Sequence, residues 1–290
     1  MQSYLNIVKK ILAEGVEKTD RTGTGTIAIA GAMFEHNMAD GFPLLTTKKM
    51  PFKVITAELE FFIKGITDKQ WLIDRKCHIW DEWCNPKKVA YAHDEETKKK
   101  MVEERDLGAI YGFQWRHFNA PYQNYDSDYS GQGIDQLKKV IETIKTNPND
   151  RRMLVMAWNP CMLDQMALPP CHYGFQITVL NGKLNLLWSQ RSVDTMLGLP
   201  FNIASYATLL HLLAKETGLK EGKLVGFLAD VHIYKNHLEG AKEQINRDPH
   251  KYKLPTIQTK NFQSIFDWQY TDTELINYES YERIQFPIAV

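Results

Sequence analysis

The chain has 290 residues, of which 43% are hydrophobic and 24% are charged. This composition is typical of a soluble globular protein and excludes a fibrous or intrinsically disordered chain. Thirty-five basic residues balance thirty-five acidic residues, so no overall charge would attract DNA or an anionic membrane. We therefore expect no DNA partner and no membrane partner, and any anion-binding site must be local.

The N-terminal segment and the cysteines indicate a cytoplasmic protein. The first 15 residues carry charges within their apolar pattern and lack a small-residue cleavage site, and no apolar run in the sequence approaches membrane-spanning length. The four cysteines are Cys77, Cys84, Cys161 and Cys171, and they form no C-x-x-C pair. They are too few for a disulfide framework in a chain of this size, so reduced thiols are expected.

Apolar periodicity predicts helices and strands in the first half of the chain. A helix is predicted over 2–14, followed by the Gly/Thr loop DRTGTGT and a strand of small and β-branched residues. Helical spacing recurs over 52–63 and includes Glu58, where the pattern favours an exposed side chain over a proton-transfer carboxyl with a raised pKa. Two polar stretches, 84–107 and 119–133, are predicted to be surface loops.

The second half of the chain alternates strands and helices. A helix that ends at the NPND turn precedes a buried strand, MLVMAW, and the segments GFQITVL and KLNLLWS flank Asn181-Gly182, the dipeptide favoured in two-residue hairpins. An apolar helix over 202–217, the strand LVGFLADVHIY and a polar helix follow. Because no repeat or composition break interrupts the sequence, we predict one α+β domain over 1–290, with a mixed sheet and flanking helices.

Cys171 follows two prolines and directly precedes His172 in the segment ALPPCHYGFQ. Burial is the more common role of a cysteine outside a disulfide. The two prolines, however, give a stiff approach to the sulfur, and His172 and the QRS segment of the returning strand offer positive charge that can lower a thiol pKa. A metal site is not expected, because neither C-x-x-C nor H-E-x-x-H occurs. Cys171 is thus a candidate nucleophile, with burial as the alternative.

The segment QRSVDTMLGLPFNIASYA, residues 190–207, contains candidates for anion and heterocycle binding. Arg191 and Ser192 offer a fork of donors and a hydroxyl that suit a phosphate, although an arginine beside a serine is common on surfaces. Asn202 lies between two apolar segments, and its amide can pair with the imide edge of uracil or of another flat heterocycle. A helix cap is the alternative role for Asn202.

Five further residues are weaker candidates on their pattern alone. Arg21 lies in a Gly/Thr loop that matches neither a nucleotide P-loop nor G-x-G-x-x-G. Arg151 and Arg152 follow a turn, where such a pair either reaches an anion or is simply solvated. Trp80 and Trp83 can stack on a ligand, although tryptophans at this spacing are more often part of a core.

Together, these segments resemble the thymidylate synthase family over nearly the whole chain. Ten segments occur in the family's order: DRTGTGT, DGFPLLTTKK, AELEFFIKG, HIWDEW, IYGFQWR, DRRMLVMAWNP, MALPPCH, SQRSVDTMLGLPFNIASYA, DVHIYKNH and the C-terminal PIAV. The cysteine-proline motif and the nearly complete QRSxDxxLGxPFNIASYA are highly specific. The resemblance implies a thymidylate synthase-like α+β fold, with a mixed twisted sheet and a homodimer that packs through its sheets.

The resemblance implies methylation of dUMP to dTMP by 5,10-methylenetetrahydrofolate, which supplies the carbon and the hydride and becomes dihydrofolate; no metal is implied. Cys171 matches the nucleophile that adds to carbon 6 of dUMP. Glu58 matches the carboxylate that manages protons through ordered water. Tyr111 matches the tyrosine associated with removal of the carbon 5 proton, and His172 belongs to the same polar network.

The resemblance also implies how dUMP is held. Asn202 matches the amide that reads the uracil imide edge, and His232 and Tyr234 match contacts to the ribose 3′-hydroxyl. The residues that match the phosphate site and its motif are Arg21, Gln190, Arg191 and Ser192, joined by Arg151 and Arg152 reaching over from the second subunit of the dimer.

A second set of residues matches the family's folate site. The matches are Ile79, Trp80 and Trp83 for the wall of the site, Asp194 for the pterin, Lys48 for the glutamate tail, and Leu197 and Gly198 as further folate contacts. Asp194 and Asn202 also count among the catalytic residues that the resemblance implies. Val290 ends the segment that matches a flap closing over both substrates and excluding water.

Three other functions are alternatives to this one. Some relatives of the fold instead 5-hydroxymethylate dUMP or dCMP; Asn202 counts against dCMP, since cytosine-specific relatives carry an acidic residue there, and dUMP hydroxymethylation stays open. A non-catalytic nucleotide- or RNA-binding relative is disfavoured by the intact Cys171, Glu58 and Tyr111. A cysteine hydrolase is disfavoured because His172, adjacent on a strand, points to the opposite face.

Overall fold

The computed structural model describes residues 1–19 and 23–287. The helices are α1 (Gln2–Glu14), α2 (Phe52–Ile63), α3 (Lys69–Ile73), α4 (Glu95–Glu103), α5 (Tyr111–His117), α6 (Gln136–Thr146), α7 (Gly198–Thr217) and α8 (Leu238–Ile245). The strands are β1 (Val16–Lys18), β2 (Thr26–Asn37), β3 (Leu154–Met156), β4 (His172–Leu180), β5 (Lys183–Asp194), β6 (Lys220–Tyr234), β7 (Thr256–Thr259) and β8 (Thr273–Ile276).

The chain forms two compact units. The first comprises the described residues of Met1–Phe52, Val179–Asn261 and Thr273–Val290, and the second comprises Lys53–Thr178 and Phe262–Asp272. The single domain predicted over 1–290 stays a prediction. In the described part of the chain, no helix is both long and apolar enough to cross a membrane.

The first unit contains a mixed sheet, as predicted. Its strands lie in the order β1-β2-β6-β5, with β1 and β6 antiparallel to β2 and β5 parallel to β6. The register places Ser192 opposite Asp230 and Asp194 opposite His232. Residues predicted to bind a ligand therefore sit at the same end of two neighbouring strands.

The turn that joins β4 to β5 is the predicted two-residue turn. Asn181 and Gly182 both have positive φ, 51° and 70°, as the type I′ hairpin turn requires. Past this turn, α7 packs against β5 and β6. Trp188 of β5 stacks on Tyr206 of α7 with ring centroids 5.4 Å apart, and each fully buried large apolar side chain contributes about 1.5–3 kcal/mol. This packing fixes the start of α7 relative to β5.

The second unit contains α3 to α6, nearly all of α2, and the antiparallel pair β3 and β4. Its core is aromatic: Phe62 stacks on Tyr111 with centroids 4.8 Å apart, and Trp115 meets Phe175 edge to face at 5.4 Å. Gly112 makes the close approach of α5 to α2 possible, because a Cβ there would lie 2.5 Å from the carbonyl oxygen of Phe62.

The stretch 84–107 is predicted from the sequence to be a surface loop. This prediction is wrong in part, because the stretch contains α4. The Asp94 carboxylate accepts the Thr97 backbone N–H at 2.9 Å and caps the helix, and Lys100 pairs with Glu96 one turn away. Met101 is the only buried residue of α4. The helix therefore lacks the apolar stripe from which the other helices were predicted. The other polar stretch, 119–133, forms turns, as predicted.

Candidate active site

Cys171 lies immediately before β4 and is half-buried. Its backbone N–H donates to the Tyr111 hydroxyl oxygen at 2.8 Å. All four cysteines, which lie within the described ranges, are reduced. Burial raises the thiol pKa of Cys77 to about 12 and that of Cys84 to about 11, so these two are poor nucleophiles. Cys171 differs from them in being accessible and tied to a tyrosine.

His172, the next residue, is buried among aromatic rings. Its ring centroid lies 4.5 Å from that of Tyr111 and 6.3 Å from that of Phe62. Desolvation in this setting lowers the His172 pKa to about 3, so the imidazole is neutral at pH 7. It therefore supplies no positive charge to the Cys171 thiol, and the sequence-based idea of an activating His172 is wrong.

Glu58 of α2 is half-buried beside Trp80. The Trp80 indole N–H donates to Glu58 Oε1 at 2.8 Å. Burial raises the Glu58 pKa to about 7, although the Trp80 hydrogen bond opposes the shift. The pattern-based prediction of an exposed Glu58 is therefore wrong, because α2 turns this carboxyl towards other groups of its unit. A carboxyl that titrates near neutrality can both give and take a proton.

Tyr111, the first residue of α5, links these groups into one cluster. Its ring contacts His172 and also meets the Trp80 ring edge to face at 6.0 Å, and its hydroxyl holds Cys171. The structure thus brings together five of the predicted residues, which we call the thiol cluster: Cys171, Tyr111, His172, Glu58 and Trp80.

Ile79 and Trp83 flank Trp80 in the same loop. Ile79 is 36% exposed, and Trp83 stacks on Tyr91 with centroids 5.7 Å apart and an interplanar angle of 8°. Tyr91 belongs to the stretch 84–107, and we did not assign it a role from the sequence. An isolated tyrosine in a polar stretch was the only signal.

A buried lysine that was also missed holds this loop in place. Lys69, at the start of α3, donates from Nζ to three backbone carbonyl oxygens, those of Asp81 at 2.8 Å, Trp83 at 3.0 Å and Met101 at 2.6 Å. Burial lowers the Lys69 pKa. The ammonium has three donors, and all three are used to tie the Trp80–Trp83 loop to α4.

A second cluster, which we call the amide cluster, lies in the first unit. Buried Gln190 accepts from the Trp188 indole N–H at 3.1 Å and donates from Nε2 to Ser192 O and to Asn202 Oδ1, both at 3.0 Å. These bonds fix the orientation of the Asn202 amide. The alternative role of Asn202 as a helix cap is wrong, because the N-cap of α7 is Leu197.

Asp194 closes the turn between β5 and α7. Its Oδ1 accepts the backbone N–H groups of Met196 at 3.1 Å and Leu197 at 3.2 Å. Gly198 is the first residue of α7. Lys48 is buried nearby, where its Nζ donates to Met196 O, and burial lowers its pKa to about 8. The structure therefore groups Asp194, Leu197, Gly198 and Lys48 around one turn.

The nucleotide-binding candidates of β5 and β6 occupy two faces. Ser192 and Gln190 share one face of β5, whereas the exposed Arg191 between them falls on the other. On β6, His232 Nδ1 lies 3.1 Å from Asp230 Oδ1, and the His232 ring meets that of Tyr234 edge to face at 5.3 Å. His232 and Tyr234 are thus neighbours.

The remaining predicted residues are not part of either cluster. Arg151 and Arg152 precede β3 and are both exposed. Arg21 and Val290 lie outside the described residues. Within the ranges 1–19 and 23–287, no three or more His, Cys, Asp or Glu side chains form a group that could hold a metal ion.

The two clusters define a class of protein. A half-buried cysteine whose backbone N–H donates to a tyrosine hydroxyl, in a cluster with a carboxyl that titrates near pH 7, has the features of a centre for covalent catalysis. An amide oriented by Gln190, and a carboxylate at a strand end, suit a flat ligand with N–H groups. The chain has the features of a cysteine-dependent enzyme that acts on heterocycles.

Comparison with known proteins identifies the family. The family model described as thymidylate synthase matches residues 2–290. The chain is 46% identical over 287 residues to the bifunctional dihydrofolate reductase-thymidylate synthase of Paramecium tetraurelia, covering 99% of this chain and 61% of that protein. It is 45% identical over 293 residues to the protein of the same description from Leishmania major, covering 100% and 55%. The chain belongs to the thymidylate synthase family and spans little more than half the length of these curated relatives.

Proposed function

We propose that this chain methylates dUMP reductively to dTMP, with 5,10-methylenetetrahydrofolate as the donor of carbon and hydride. The observation that carries the proposal is the thiol cluster: Cys171 is accessible and held by the Tyr111 hydroxyl, and Glu58 has a pKa of about 7. Membership of the thymidylate synthase family supports the same reaction.

The chemistry begins at the Cys171 sulfur. The thiolate adds to carbon 6 of the pyrimidine, so that a new C–S bond forms and the electron pair moves to carbon 5 and the carbonyl at carbon 4. Carbon 5 becomes the nucleophile that takes up the one-carbon unit. When the methylated product forms, the C–S bond breaks and Cys171 is regenerated.

Glu58 and Tyr111 manage the protons of this sequence. Glu58, poised near neutrality, delivers a proton towards the pyrimidine oxygen and recovers it later. Tyr111 is assigned to removal of the carbon 5 proton, and its position against Cys171 keeps the phenol near the reacting ring. Neutral His172 packs against the Tyr111 ring, and it does not act as a base for Cys171.

The amide cluster is assigned to recognition of dUMP. The Asn202 amide, oriented by Gln190, reads the imide edge of uracil, while His232 and Tyr234 bind the ribose 3′-hydroxyl. The phosphate is assigned to Arg21, Arg191 and Ser192, together with Arg151 and Arg152 of the second subunit. Arginine side chains suit a phosphate because the guanidinium presents paired donors.

The residues grouped around the turn after β5 fit the pterin of the folate. A pterin presents N–H donors along one edge, and the Asp194 carboxylate offers an oxygen there while its other bonds hold the turn in shape. Leu197 and Gly198 line this turn, and Ile79, Trp80 and Trp83 are assigned to the wall against which the folate rests. Bound folate supplies the methylene group and the hydride. Lys48 is assigned to the glutamate tail, and Val290 to the closing C-terminal segment.

We also propose that the chain is a cytoplasmic homodimer that packs through its sheets. Met33 of β2 and Phe227 of β6 are directly opposite each other in the register and are 57% and 48% exposed. Paired large apolar side chains on the open face of a sheet are a typical interaction surface. The exposed Arg151 and Arg152 would then reach the phosphate site of the second subunit.

The decisive test is an assay with dUMP and methylenetetrahydrofolate that follows dihydrofolate by absorbance and identifies the nucleotide by mass. We expect dTMP and dihydrofolate in equal amounts. If 5-hydroxymethyl-dUMP forms and tetrahydrofolate is retained, the chain is a hydroxymethylase and the proposal is wrong. Binding of dUMP without any product would instead indicate a non-catalytic relative.

A further inference from the structure

His237 is a fully buried histidine to which the site motifs assign no role. It ends the short turn Lys235–His237 that follows β6 and directly precedes α8. Its Nε2 lies 2.6 Å from the carbonyl oxygen of Pro287. A carbonyl only accepts, so Nε2 carries the proton and donates. Among the described residues, no group hydrogen-bonds to Nδ1.

The His237 ring also lies against residues of the proposed substrate site. Its Nδ1 is 3.9 Å from Asp194 Oδ1, the oxygen that accepts from the turn between β5 and α7. Its ring meets that of Tyr234 edge to face at 5.5 Å. One imidazole thus contacts both the residue assigned to the pterin and a residue assigned to the ribose.

The C-terminal residues before Pro287 pack on the same ring. The Phe286 ring lies 5.1 Å from that of His237, and Lys48 Nζ is 4.7 Å from the Phe286 ring centroid. Gly240 of α8 leaves the space for Phe286, because a Cβ there would lie 2.5 Å from Phe286 Cε1. The Phe286 ring therefore packs against both the His237 ring and the backbone at Gly240.

We propose that His237 is a positioning residue that fastens Phe286 and Pro287 beside Asp194, a residue assigned to folate. The His237 ring touches Phe286, Pro287 and Asp194, and Phe286 in turn touches Lys48, so docking of the C-terminal residues and binding of folate stabilise each other. This inference rests on the proposed function for its kinetic consequences only. The fastening itself is a property of the chain without ligands and can be measured separately.

The first measurement is hydrogen–deuterium exchange of a peptide covering 283–290 in the unliganded chain. His237→Leu keeps a buried apolar group but removes the donor to Pro287, and exchange is expected to become at least about fivefold faster. His237→Gln retains an N–H near the position of Nε2 and should restore most of the protection. His250→Gln, on an exposed histidine, serves as the control and should exchange like the parent chain.

Gly240→Ala tests the contact from the other side and guards against a variant that fails to fold. Its methyl group displaces Phe286, but alanine favours a helix over glycine by about 1 kcal/mol, which offsets the lost packing, so thermal stability should change little. Faster exchange of the 283–290 peptide without a lower melting temperature would support fastening. Exchange unchanged in both Gly240→Ala and His237→Leu would overturn the proposal.

Kinetics then separate positioning from general damage. His237→Leu should raise the KM for methylenetetrahydrofolate about tenfold, as expected for one lost hydrogen bond. The Kd for dUMP should change less than twofold, because leucine keeps apolar packing against the Tyr234 ring. A parallel loss of dUMP affinity would show that the whole strand end is disturbed and would contradict the proposal. If the parent chain makes no dTMP, the proposed function fails, whereas the exchange measurements still decide the role of His237.

Discussion

The thiol cluster and the amide cluster are built in opposite ways. In the thiol cluster, burial among aromatic rings desolvates the ionisable groups. The Glu58 pKa is therefore raised to about 7, and His172 is neutral at pH 7. In the amide cluster, polar side chains bond to one another, as Gln190 does with Trp188 and Asn202. Under the proposed function, a shifted pKa serves the chemical steps, whereas fixed hydrogen bonds serve recognition.

The largest expected effect comes from removing the thiol. Cys171→Ala should lower kcat by roughly a thousandfold or more, because covalent activation of the pyrimidine is lost. The Kd for dUMP, measured by calorimetry, should change little, since recognition is assigned to the amide cluster. Cys161→Ala removes an exposed thiol elsewhere and is the matched control. Turnover by Cys171→Ala close to that of the parent chain would refute the assignment.

Glu58→Gln should lower kcat by roughly a hundredfold and abolish the inflection near pH 7 in the pH–rate profile.

The same substitution should raise the free energy of unfolding at a pH above the Glu58 pKa. The folded pKa of Glu58, about 7, exceeds its ordinary value of 4.5, so the carboxyl favours folding below pH 4.5 and this contribution is lost as the pH rises through 7. Glu58→Gln should therefore be more stable than the parent chain at pH 8, by about 1–2 kcal/mol after allowing for partial exposure, and the gain should be absent at pH 4.5.

Urea unfolding at the two pH values measures this difference. Glu60→Gln is an informative comparison on the same helix, because Glu60 is tied to Lys64 and to the Tyr270 backbone N–H. Losing that charge should destabilise the chain at pH 8. Equal stability curves for Glu58→Gln and the parent chain would mean that burial of Glu58 does not control its titration.

A smaller effect is expected when the amide cluster is disconnected. Gln190→Leu removes the donor to Asn202 Oδ1 and leaves the Trp188 indole N–H without its acceptor. The KM for dUMP should rise about tenfold, while alkylation of Cys171 by iodoacetamide, followed by peptide mapping, should proceed at the parent rate. A changed Cys171 reactivity would break the proposed separation of chemistry and recognition.

The smallest effect concerns the edge of the folate wall. Tyr91→Ala removes the ring stacked on Trp83 and should raise the KM for methylenetetrahydrofolate about threefold, in line with the modest energy of one aromatic pair. Tyr91→Phe keeps the ring and should behave as the parent chain does. An equally large effect of Tyr91→Phe would point to the hydroxyl and not to stacking.

The sequence predicted much of the fold because its local signals were strong. Asn181-Gly182 has one favoured conformation, and the structure shows it. The helix α4 was missed, since its caps and charge pairs carry no apolar period. The mixed sheet was predicted only as a class, because the pairing of β2 with β6 depends on contacts distant in sequence.

The sequence predicted which residues form the thiol cluster, but it did not predict their pKa shifts. The motifs identified Cys171, Glu58 and Tyr111, and the structure places them in one cluster. They could not show that Glu58 is desolvated, because Trp80 lies 22 residues away in sequence. Nor could they single out Lys69 or His237, whose importance depends on which backbone carbonyls they meet.

The register between β2 and β6 has a consequence for folding of the chain during its synthesis on the ribosome. Thr26 pairs with Tyr234, roughly 200 residues later, and contacts so distant in sequence form slowly. A growing chain that already contains Cys171 and its tyrosine still lacks the strand that carries His232. The nascent chain therefore contains the proposed nucleophile well before it contains a residue assigned to the ribose.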